Sequence, residues 1–91
     1  MSGINERFGN KCSPSFRRRV IAAFGGVCEL CGRKTGHYPH WPTVDRIVPR
    51  AKGGLYMPDN VTLACLTCNG IKSDGEFVGP VRSLEVMEAT Q

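Results

Sequence analysis

Four cysteines carry the clearest chemistry in the chain. Cys28 and Cys31 form one C-x-x-C pair, and Cys65 and Cys68 form another. Two intervening residues let both thiolates of a pair reach one tetrahedral ion, with spare backbone N–H groups facing the sulfurs. Two such knuckles complete a four-cysteine zinc site. That site is closed, so its zinc holds the fold and performs no chemistry. Comparable peptides draw about 10–16 kcal/mol of binding energy from such an ion. A redox dithiol or two disulfides are the alternatives. Neither accounts for two matched knuckles in a chain without a secretion signal. Cys12 is left over and reads as a free thiol.

The insert, read through the second knuckle, is "TVDRIVPRAKGGLYMPDNVTLACLTCNGIK". Taken singly, its polar residues have ordinary uses. Asp45 suits a turn or strand edge, Asn60 follows Pro58-Asp59 in a turn, Asn69 suits a helix cap, and Lys72 suits solvent. Taken together, Cys28, Cys31, Asp45, Ile47, Pro49, Gly53, Gly54, Asn60, Cys65, Cys68, Asn69 and Lys72 form an ordered pattern. That pattern resembles the zinc-bearing HNH endonucleases: C-x-x-C, D-H-I-x-P-x-x-x-G-G, N-V/L, then C-x-x-C-N-x-x-K. The resemblance covers roughly residues 14–74.

The resemblance implies an α+β fold of the ββα-metal (His-Me finger) type, in which two antiparallel strands and a helix clamp a divalent ion. Asp45 and Asn69 would be the ligands of Mg²⁺ or Mn²⁺, since hard oxygen donors suit those ions. Asn60 would hold the long loop and orient the site, and Lys72 would touch a phosphate. The implied activity is hydrolysis of DNA phosphodiester bonds, giving nicks or breaks with 5′-phosphate ends; RNA is a further substrate to consider. A standalone domain of this kind is similar to phage or mobile-element proteins that act with packaging machinery or in restriction.

One position departs from the pattern. Where the family has its proton-accepting histidine, this chain has Arg46. Arginine stays protonated, so it accepts no proton from water. A positioned general base contributes about 10²–10⁴-fold in rate. Three readings compete. His40, or His37, folds back beside Asp45 as a relocated base. Alternatively, Arg46 grips the scissile phosphate with its fork of donors and hydroxide attacks. In the third reading the chain is a nuclease-dead module that binds nucleic acid.

Twelve Lys and Arg against eight Asp and Glu give a net charge of +4. This excess suits a nucleic-acid partner but equally a solvated surface. Arg17, Arg18, Arg50, Lys52 and Lys72 are the candidate phosphate contacts. Trp41 and Tyr56 are expected to pack over the knuckles, with base stacking as the other use.

The elements that must position these residues follow from local signals. Ser13 and Pro14 start a helix, Gly25 and Gly26 stop it, and Phe16, Val20, Ile21 and Phe24 share one face. "TVDRIV" and "VTLAC" read as short strands, and a short helix follows the second knuckle. Residues 1–12 read as a flexible lead-in, 13–76 as the nuclease-like domain, and 77–91 as a tail with a short helix. No apolar run reaches membrane-spanning length, and a reducing, cytoplasmic setting is expected.

Overall fold

The computed structural model describes residues 11–72 and 80–91. The expected lead-in falls almost wholly outside these residues. Helix α1 runs Pro14–Ala23. The Ser13 hydroxyl accepts from Phe16 N at 3.1 Å, and Pro14 needs no partner in the first turn. The helix ends where Gly25 and Gly26 take positive φ, and their amides return to Ala22 O and Ile21 O. That pair of bonds is a Schellman cap, which satisfies carbonyls otherwise left open at the helix end.

Strands β1 (Pro42–Arg46) and β2 (Val61–Cys65) pair antiparallel. The register sets Thr43 opposite Ala64, Val44 opposite Leu63, Asp45 opposite Thr62 and Arg46 opposite Val61. Successive strand residues point to opposite faces, and cross-strand partners share a face. One face therefore carries Val44, Leu63, Arg46 and Val61. The other carries Thr43, Ala64, Asp45 and Thr62.

The first face meets α1. Phe16, Val20, Ala23, Phe24, Val61, Leu63 and Leu84 form the main core, with Val44, Tyr56 and Met87 packed against it. Helix α2, Leu66–Lys72, follows β2 directly and packs on both strands. All of β2 is buried, because both its faces are covered. A second buried cluster, Cys28, Ala64 and Cys65 with Cys68 against it, lies under the knuckles.

Helix α3, Leu84–Ala89, closes the core instead of trailing from it. Leu84 is fully buried among α1 and β2 side chains. Arg19 holds Glu88 in a two-pronged ion pair at 2.6 and 2.7 Å. Arg82 holds Glu29 through its guanidinium and its backbone amide, which ties residues 80–91 to the first knuckle. One apolar anchor and two ion pairs dock this helix.

Candidate metal centre and nuclease face

The first knuckle hangs from β2 by Glu29 N donating to Leu63 O at 2.9 Å. Its turn closes through Cys28 N to Arg33 O and Gly32 N to Cys28 O, with Gly32 at positive φ. The second knuckle is the end of β2 and the first turn of α2. Together they place the sulfurs of Cys28, Cys31, Cys65 and Cys68 within 4.8 Å of one another. None is in a disulfide. Sulfurs about 2.3 Å from a tetrahedral zinc stand roughly 3.8 Å apart. Cys31 Sγ and Cys65 Sγ lie 3.9 Å apart. The donor set and its spacing fit a structural zinc ion.

The clustered thiols do not ionise alike. Burial works against ionisation of Cys28, but amides of Cys31, Cys65 and Leu30 outweigh it and bring its pKa down to about 7. Burial, then the neighbouring sulfurs, pushes Cys68 well up. Burial also raises Cys31, aided by Cys28 and opposed by the Arg33 amide. One thiolate forms readily and the next are held back, which a divalent ion would reverse.

The second site lies on the α2 face of the sheet. Thr43 and Asp45 are two residues apart on β1, so both project from this face. Thr43 Oγ1 donates to Ala64 O at 2.7 Å. Its one proton is thereby used, so the contact with Asn69 at 3.1 Å runs from Asn69 Nδ2 to Thr43 Oγ1. That bond holds the Asn69 amide nitrogen against Thr43. Asp45 is buried, and its Oδ2 is enclosed without a hydrogen bond, although the residue makes other interactions. Asp45 and Asn69 therefore lie toward the same face of the sheet, one a carboxylate and the other an amide, both residue types that carry hard oxygen donors. Thr43 escaped the sequence reading; a hydroxyl two residues before the aspartate was its only signal.

Asn60 clamps the loop between the strands. Its Oδ1 accepts from Val48 N at 2.8 Å, and its Nδ2 donates to Val48 O at 3.1 Å and Leu55 O at 2.9 Å. Gly54 is the complement: a Cβ there would fall on the Val48 carbonyl and against Asn60 Nδ2. The loop therefore closes around one asparagine and one side-chain-free position.

Arg46 does not join the Asp45 face. Its guanidinium carbon lies 4.5 Å from the centroid of the Tyr56 ring, a cation–π stack at the rim of the main core. Strand alternation requires this, since Arg46 pairs with Val61 and not with the Thr43 side. Arg46 Nη1 is enclosed and makes no hydrogen bond. Tyr56 thus packs with Arg46 and the core, not over the knuckles. Trp41 is half exposed.

His40 is not beside Asp45 either. Its ring reaches Cys65 Sγ through Nδ1 at 3.4 Å and Arg33 Nη1 through Nε2 at 3.1 Å. Cys65 pairs with Pro42, and Asp45 pairs with Thr62, three ladder steps away. At a strand rise of about 3.4 Å per residue, that is roughly 10 Å along the sheet. His37 bridges His40 in the same hairpin. His40, the candidate in one of the three readings of the sequence, therefore lies away from the Asp45 face, because its hairpin turns to the knuckle end of β1.

The basic residues divide. Arg17 donates to Pro42 O at 2.8 Å, Arg18 is exposed, and Arg19 is committed to Glu88. Arg50 and Lys52 are exposed in a 3-10 turn, Arg50–Lys52, just past β1. Lys72 ends α2, and its side chain lies outside the described residues.

A two-stranded sheet with α2 across one face and a four-cysteine cluster at one end is the ββα-metal arrangement. The HNH endonuclease family profile matches residues 28–75, more than half of the 91-residue chain. The chain belongs to the HNH endonuclease family. No curated protein and no solved structure matches it. Family membership places it among nucleases that act on nucleic acid, and no helix among the described residues is long and apolar enough to cross a membrane.

Proposed function

We propose that this chain is a divalent-metal-dependent endonuclease that hydrolyses phosphodiester bonds in DNA. The observation that supports it most is the Ala64–Thr43–Asn69 chain of hydrogen bonds, which ties the Asn69 amide to the strand face that carries Asp45. A Mg²⁺ or Mn²⁺ ion held there would offset the charge that builds on the phosphate and steady the departing oxygen. Asp45 supplies a carboxylate donor from rigid strand, and Asn69 supplies a neutral oxygen whose direction Thr43 sets. Asn60 keeps the loop carrying Arg50 and Lys52 closed beside β1. Arg50 and Lys52 take phosphates flanking the scissile bond, with Lys72 as a third contact, and Arg17 and Arg18 extend the basic surface along α1.

Arg46 cannot take a proton from water. The chain's only two histidines, His37 and His40, lie at the zinc end. Solvent hydroxide is therefore the attacking group in this reading, without a side-chain base. Arg46 stays stacked on Tyr56 on the other side of the sheet. The same observation favours a second reading, in which the domain binds nucleic acid and turns over very slowly.

Plasmid nicking by zinc-loaded protein, in Mg²⁺ and separately in Mn²⁺, separates the two. Nicking by the native chain that Asp45→Ala abolishes is the expected result. Silence from the native chain, in folded zinc-loaded protein that still binds DNA, would overturn the nuclease reading and assign the chain to the binding class. Trp41, the single tryptophan, is half exposed and serves as the fluorescent probe of DNA binding in each variant.

A further inference from the structure

We infer that Arg33 and His40 form a donor relay to the zinc centre, with His40 as the positioning residue that holds the Cys65 thiolate. The geometry is fixed at both ring nitrogens. Arg33 Nη1 stands 3.1 Å from His40 Nε2, and His40 Nδ1 stands 3.4 Å from Cys65 Sγ. A guanidinium only donates. Nε2 must therefore offer its lone pair, which leaves the ring proton on Nδ1. Nδ1–H then donates to the sulfur. The relay has one direction: Arg33 to His40 to Cys65.

The backbone is built to deliver the ring. His40 N donates to His37 O at 2.6 Å and Gly36 N donates to His40 O at 3.1 Å, which closes a tight hairpin. Thr67 Oγ1 donates to Pro39 O at 3.0 Å and Leu66 N donates to Trp41 O at 2.8 Å, which pin that hairpin to the second knuckle. Both pinning residues flank or enter α2, within two positions of Cys65. These bonds hold the His40 backbone beside the second knuckle, and the contacts at the two ring nitrogens set the ring's own orientation.

The chemistry explains why such a relay is useful. Four thiolates around a divalent cation leave a net charge of two minus. Cys65 is fully buried, so water does not offset its share. A nitrogen donor backed by the exposed guanidinium of Arg33 does so instead. Outer-shell donors of this kind orient the ligand and lower its electron density at the metal. The same bonds use the Nε2 lone pair, which leaves His40 no means of accepting a proton from water.

The test reads the metal and not nuclease activity, so its failure is distinct from failure of the nuclease reading. Zinc-loaded protein is challenged with a chromogenic chelator, and the cobalt-substituted protein gives the thiolate-to-metal charge-transfer band. His40→Ala should release zinc about 10–100-fold faster, and its cobalt band should move to longer wavelength. His40→Asn places an amide N–H near the Nδ1 position and should stay close to the native protein on both readouts. Arg33→Met should shift both in the His40→Ala direction by less. Native release and an unmoved band in folded His40→Ala would overturn the relay. So would His40→Asn behaving like His40→Ala, since shape and not the donor would then matter. If His40→Ala does not fold around metal, Arg33→Met decides: unchanged release and an unmoved band overturn the proposal.

Discussion

Thr43→Val tests the nuclease face at its smallest point. Valine keeps the β-branched shape that β1 favours and removes only the hydroxyl. Two bonds go with it: the 2.7 Å bond to Ala64 O and the 3.1 Å bond from Asn69 Nδ2. The Asn69 amide is then free to turn, and nothing holds Oδ1 on the Asp45 side. The bond that orients it is worth about 0.5–1.5 kcal/mol net. At about 1.4 kcal/mol per tenfold, the loss weakens divalent-ion binding roughly 2- to 12-fold.

The assay is initial nicking rate against Mn²⁺ concentration, with bound zinc measured in parallel. Half-saturating Mn²⁺ should rise by that factor in Thr43→Val, while the rate at saturation recovers and zinc content stays unchanged. Thr43→Ser keeps the hydroxyl and should restore the native curve. An unchanged half-saturation in Thr43→Val would refute the reasoning. A Thr43→Ser protein as impaired as Thr43→Val would refute it too, since the fault would then lie in packing. A fall in saturated rate alone would mean that Thr43 acts elsewhere than on the ion.

Four further outcomes follow from the same geometry. Gly54→Ala should destabilise the domain by about 1–3 kcal/mol in a urea titration, because its methyl would press on the Val48 carbonyl. Asn60→Ala leaves Val48 N and Val48 O to find water and takes one of its two donors from Leu55 O; a loss of about 1–3 kcal/mol should accompany faster proteolysis of the loop between the strands. The Arg82 hydrogen bonds hold Glu29 below its ordinary pKa of 4.5, so their contribution is complete above that value and fades as pH falls through the lower folded pKa. Glu29→Gln should therefore be the less stable protein at neutral pH, and the difference from native should shrink in acid; zinc loss there is common to both proteins. With no imidazole at the Asp45 face, the nicking rate should climb about tenfold per pH unit with hydroxide and show no plateau near neutrality; a plateau would point to a side-chain base.

What could be read from the sequence is what depends on neighbours along the chain. Ser13-Pro14 and Gly25-Gly26 act within a turn of themselves, and α1 begins and ends where they place it. The C-x-x-C pairs carry their geometry in their spacing, so the metal centre followed from letters alone. The strand "VTLAC" has the matching bounds Val61–Cys65. What could not be read depends on where a loop goes. Pro39 and Pro42 announce that the chain bends before β1, but not to which end of the strand. The outcome is decided by Thr67 and Leu66, which capture the hairpin from a distance of more than twenty residues. Docking of α3 was hidden for a related reason: a segment with one buried leucine and two charged partners has too weak a periodicity to announce a core element.

Arg46 combines both kinds of information. That it is no base follows from its chemistry. Where it goes follows from counting: if Asp45 faces α2, the next residue must face the main core, and Arg46 sits at the rim of that core. A guanidinium there needs a surface that tolerates charge, and Tyr56, ten residues on, supplies an aromatic face at 4.5 Å. The stack depends on the loop that Asn60 clamps, because Tyr56 lies inside the closed segment between Val48 and Asn60. The loop's asparagine, the tyrosine and the arginine therefore form one arrangement on the side of the sheet away from Asn69. The sheet separates the face of Thr43, Asp45 and Asn69 from a rim that holds a fixed positive charge. Substitution of the family's histidine by arginine thus changes more than proton transfer, because it fixes what the inter-strand loop packs against.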